Sequence, residues 1–92
     1  MPHPLMTIIA RTHVRQGLMA KGHRLLDAIH LANSVSDETI DTAISESPDN
    51  VKAEATKVAA IGDGTILAAI KQFFASDLGK ALIAFIISML VV

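Results

Sequence analysis

The chain contains no cysteine, no tryptophan and no tyrosine, and its only aromatics are three phenylalanines. Without cysteine there is no disulfide staple, no thiolate metal site and no thiol nucleophile. Without larger aromatics, a core must be built from Ala, Leu, Ile, Val and Met, residues that favour packed helices over a sheet sandwich. Charge is scarce as well: 18% of the residues are charged against 51% hydrophobic. With 92 residues, there is room for one domain and one core.

What charge there is falls in blocks. Residues 1–33 carry Arg11, Arg15, Lys21 and Arg24 against Asp27 alone, a net charge of +3. Residues 34–63 hold seven acids against Lys52 and Lys57, a net −5. Residues 64–92 have only Lys71, Asp77 and Lys80. The order is basic, acidic, apolar. The basic start has the composition of a transit peptide but no apolar stretch of a secretory signal, and we read it as part of the fold.

The hydrophobic periodicity predicts an all-α chain of three to four helices with loose or extended packing. A polar helical region spans 1–63, with a basic helix over 5–33 and short acidic helices over 37–61; an amphipathic-to-apolar helix occupies 64–92. Helix one can start just after Pro4, where a missing N–H costs little. Its apolar stripe reads Val14, Leu18, Leu25 and Ile29, broadened by Met19 and Leu26. Gly17 and Gly22 mark a bend or a close helix contact. Ser34, Ser36 and Asp37 form an N-cap cluster, and Ser47-Pro48-Asp49 reads as a helix start with serine as cap and proline first. The clearest break is Gly62-Asp63-Gly64-Thr65, where Asp63 is placed to cap the next helix.

The last helix changes character along its length. Ile70, Phe73, Phe74 and Leu78 oppose Lys71, Gln72 and Ser76, but from Ala81 onward only Ser88 interrupts the apolar run. A span across a bilayer needs about 20 apolar residues, and runs of about 10 to 14 more often lie in a core or interface. Counting back to Phe73 reaches 20 residues, Asp77 and Lys80 included. The core of a lone chain is the weakest placement, because too few helices are foreseen to cover an apolar surface on every side. The expected membrane or subunit interface is therefore Phe73, Phe74, Leu78, Leu82, Ile83, Phe85, Ile86, Ile87, Met89, Leu90, Val91 and Val92. Small residues spaced by four, Ala75 with Gly79 and Ala84 with Ser88, would allow close approach of another helix.

The remaining motifs argue against catalysis. His3, His13, His23 and His30 never stand three or four residues apart, the spacing that lets two imidazoles share an ion on a helix. Gly62-Asp63-Gly64-Thr65 lacks the Lys-Ser/Thr ending of a phosphate loop, and no Gly-x-Ser-x-Gly elbow is present. No catalytic residue, cofactor or metal is expected. Arg11, Arg15, Lys21 and Arg24 form the expected contact for an anionic partner, lipid headgroups or, more weakly, nucleic acid, which would find no aromatic to stack on.

In composition alone, segregated charge with one alanine-rich apolar helix resembles coat subunits of filamentous phage and pilins, with the basic end at the opposite terminus from the phage pattern. The sequence thus points to a non-enzymatic structural subunit that anchors or self-associates in a membrane-associated complex, virion or filament. Its N-terminal region would stay cytoplasmic or internal. The alternative is a binding module whose basic helix contacts anionic lipid or nucleic acid.

Overall fold

A computed structural model describes residues 3–91. Among these there are six helices and no strand: α1 (Pro4–Ala20), α2 (Leu25–Asn33), α3 (Asp37–Glu46), α4 (Asp49–Ala59), α5 (Ile66–Ala75) and α6 (Asp77–Leu90). The all-α class holds, and the expected number of helices is too low because two of the long helices break.

The first break is at Gly22. Pro4 opens α1, where the ring nitrogen of His3 accepts the Leu5 N–H at 3.2 Å. After Ala20 the N–H of Lys21 and of Gly22 close back on the last turn, and Gly22 takes φ +100°, a conformation open to glycine. The chain reverses there, so α1 and α2 form a hairpin instead of one helix over 5–33. Its base is tied by Arg11, whose Nε donates to the Val35 carbonyl at 2.7 Å, and by Thr7, whose hydroxyl donates to Asp37. Gly17 provides the other expected feature, a close contact: a Cβ there would lie 2.7 Å from Cδ1 of Ile87 on α6.

The second break is at Ser76, where α5 and α6 meet at 77°. One side chain serves both helix ends. The Ser76 hydroxyl donates to the Phe73 carbonyl of α5, and its oxygen accepts the Gly79 N–H of α6 at 3.3 Å. Ser36 caps α3 in the same way, accepting from the Thr39 N–H at 3.2 Å. Ser47 departs from its expected role, because its hydroxyl donates backwards to the Ala43 carbonyl and leaves Pro48 as the N-cap of α4. Asp63 likewise caps its own loop, accepting from the Thr65 backbone at 2.8 Å and from the Thr65 hydroxyl.

The six helices enclose one core. On α1 it takes Met6, Ala10, Val14 and Leu18, a stripe at spacing four. Against it pack Ile66, Ile70, Phe73 and Phe74 of α5 and Leu82, Ile83, Ile86 and Ile87 of α6, with Ile40, Ala43 and Ile44 of α3 and Val51, Ala55 and Val58 of α4 closing the far side. The apolar C-terminal helix therefore has α1, α3, α4 and α5 around it. The sequence-based reason for sending it elsewhere, too few helices to cover it, does not hold. Nor is the packing loose: the radius of gyration is 12.3 Å, against about 12 Å for a compact domain of this length.

Candidate functional site

Of the residues expected to face lipid or a second subunit, Phe73, Phe74, Leu82, Ile83, Ile86 and Ile87 are buried, and Leu78, Phe85, Met89 and Leu90 are half-buried against the same core. Only Val91 is exposed; Val92 lies outside the described residues. The outward face of α6 is instead formed by Ala81, Ala84 and Ser88, with the charged Asp77 and Lys80 in its first turn. Ala84 and Ser88 thus remain free for a close helix contact, whereas Gly79 is already used within the chain.

The four expected anionic contacts divide. Arg11 is half-buried and holds the base of the α1–α2 hairpin through Val35. Arg15 is half-buried on α1, one turn before Met19. Lys21 and Arg24 are exposed in the turn. The hairpin brings Lys21 and Arg24 together at the turn, with Arg15 back along α1 between them and Arg11.

At that end the structure exposes three apolar side chains that periodicity assigns to a buried stripe. Leu26 is 79% exposed, Leu25 51% and Met19 43%. The physical reason is the change of phase at Gly22: once the helix restarts at Leu25, the inward positions are Ala28 and Ala32. The signal was present in the sequence, since a glycine just past an amphipathic segment and next to a lysine marks a helix end. Lys21, Arg24, Leu25 and Leu26 thus form a mixed basic and apolar surface, with Asp27 as the acid beside them.

Elsewhere the chemistry is sparse. A cavity of about 310 Å³ opens between α4 and α5, with Glu54, Lys57, Gln72 and Ser76 as its polar lining. Neither an imidazole nor an activated hydroxyl reaches it, because Ser76 is committed to the Phe73 carbonyl. No cluster of three or more His, Asp or Glu side chains able to hold a metal occurs among the described residues. His13 stacks on Phe74 with ring centroids 5.3 Å apart, and burial holds its pKa below the ordinary histidine value. Asp63 is held below the usual carboxylate range by the Thr65 hydroxyl and then the Thr65 N–H. Both effects are local and structural.

Compared with known protein families, curated proteins and solved structures, the chain matches none of them. The reading of function therefore rests on the surface just described.

Proposed function

We propose that this chain is a non-enzymatic helical binding module that meets an anionic partner through the α1–α2 end of the bundle. The observation that carries the reading is the placement of exposed Lys21 and Arg24 beside exposed Leu25 and Leu26. Exposed apolar side chains are common singly, but adjacent ones framed by cations form a contact surface. Retention of the full chain on an anionic support, followed across salt concentration, tests it. Retention should fall as salt rises and be lost in the double variant Lys21→Glu/Arg24→Glu. Binding indifferent to salt, or unchanged in that variant, overturns the reading.

A second reading, a structural subunit anchored or self-associated through its C-terminal helices in a membrane complex, virion or filament, is favoured by one feature. Taken together, Ile66–Ala75 and Asp77–Leu90 are long and apolar enough to cross a bilayer, although no single helix among the described residues is. Two magnitudes weigh against it. The 14 residues of α6 span about 21 Å of a hydrocarbon layer about 30 Å thick. Straightening the pair would set Asp77 and Lys80 near the middle of the span, where each charge costs about 3 kcal/mol. Alkaline carbonate extraction decides between the readings: a chain retained in the membrane pellet favours anchoring, and a released chain favours surface docking.

A further inference from the structure

Resting on the reading that the α1–α2 end is the contact surface, we propose that its partner is the headgroup layer of an anionic bilayer. Leu25, Leu26 and Met19 enter the boundary between headgroups and acyl chains, and Lys21, Arg24 and Arg15 pair with lipid phosphates.

The argument begins with what the hairpin does to the chain. The Arg11–Val35 and Thr7–Asp37 hydrogen bonds fix one end of the α1–α2 pair, so the Gly22 turn is its opposite, free end. The turn places Lys21 and Arg24 on either side of the reversal and starts α2 with two leucines. Leu26, at 79%, is the most exposed of the large hydrophobic side chains described. It contributes nothing to the seating of α2, which rests on α1 through Ala28 and Ala32.

The composition of this end selects among anionic partners. A nucleic acid would satisfy the cations but leave the leucines against water, and it would find no Phe, Tyr or Trp at this end to stack on its bases, only the half-buried His23. An anionic bilayer meets both demands within one layer: phosphates at the depth of the Lys and Arg heads, and acyl carbon about 5 to 10 Å further in for the leucines. Asp27 reduces the charge: Arg15, Lys21 and Arg24 against Asp27 leave +2. Basic residues contribute modestly one by one, so attachment from a single end should be reversible and salt-sensitive. The core is not disturbed, because none of Met19, Leu25 and Leu26 belongs to it. Docking is therefore shallow and leaves α5 and α6 packed.

Flotation of the full chain with vesicles tests this, using pure phosphatidylcholine and phosphatidylcholine with about a third phosphatidylglycerol. The wild type should float with the anionic vesicles only, and less as salt rises. Leu25→Ser/Leu26→Ser should reduce that binding at least tenfold while leaving the thermal midpoint nearly unchanged, since neither side chain belongs to the core. Arg11→Met, at the opposite end of the hairpin, should leave binding unchanged. Four outcomes overturn the proposal. If the leucine variant binds vesicles like the wild type, no side chain enters the bilayer. If the wild type binds duplex DNA or an anionic support in a salt-dependent way but not vesicles, the charged-surface reading stands and the bilayer proposal falls; if it binds none of them, both fall. If, without vesicles, the wild type forms a dimer that the leucine variant does not, the leucines cover a second copy of this chain.

Discussion

Gly79 packs against the backbone of Phe73: a Cβ at that position would run into the Phe73 carbonyl oxygen and stand 2.6 Å from the carbonyl carbon. The obstacle is backbone, so no change of rotamer relieves it. The 77° elbow between α5 and α6 thus depends on a residue with no side chain, and Ser76 completes the joint by serving both helix ends.

Gly79→Ala should therefore destabilise the bundle by about 3 kcal/mol or more, although alanine is favoured over glycine by about 1 kcal/mol in a helix interior. Thermal or denaturant unfolding followed by circular dichroism checks the sign. A variant as stable as the wild type would mean that the elbow is not built as described.

Ile86 is fully buried between α6 and the helices around it. In water, Ile86→Ala should cost about 2 to 5 kcal/mol, whereas Ala84→Ser on the exposed face of the same helix should cost under about 1 kcal/mol. Equal, small losses for both would place α6 outside the core and favour the anchoring reading.

Arg11 is a structural residue within the basic block. Removing its bond to the Val35 carbonyl in Arg11→Met should lower stability by about 1 to 2 kcal/mol, while salt-dependent binding at the α1–α2 end persists. Loss of binding with intact stability would reverse this assignment.

His13 makes the stability depend on pH in a calculable direction. Burial lowers its folded pKa below the ordinary 6.5, so the unfolded chain takes up the proton first as pH falls. The stability from neutral His13 is complete above about 6.5 and declines below that value until the folded group titrates as well. Between about pH 7 and pH 5 the wild type should lose more stability than His13→Gln. Denaturant unfolding at both pH values measures the difference, and parallel losses would show that the stacked imidazole titrates normally.

The local elements were largely legible before any tertiary contact was known. Ser36 caps α3, Pro4 opens α1, and the alternation of Ile70, Phe73 and Phe74 with Lys71 and Gln72 is the buried and exposed division of α5. These follow from 3.6-residue periodicity and from the unpaired N–H groups at helix starts, which nearby residues satisfy. Less legible was the fate of apolar residues past a break. Leu25 and Leu26 share a stripe with Val14 and Leu18 only if the helix continues through Gly22, and it does not.

By itself, the sequence determined an all-helical chain with its charge in blocks, the Ser36 cap of α3, and an apolar C-terminal segment that must leave water. Only the tertiary structure decided where that segment goes, because apolar surface is attracted to any apolar surroundings and carries no direction of its own. The 77° elbow at Ser76 turns α6 against α5, and α1, α3 and α4 close around it. The reversal at Gly22 leaves Leu25, Leu26, Lys21 and Arg24 together at the free end of the first hairpin.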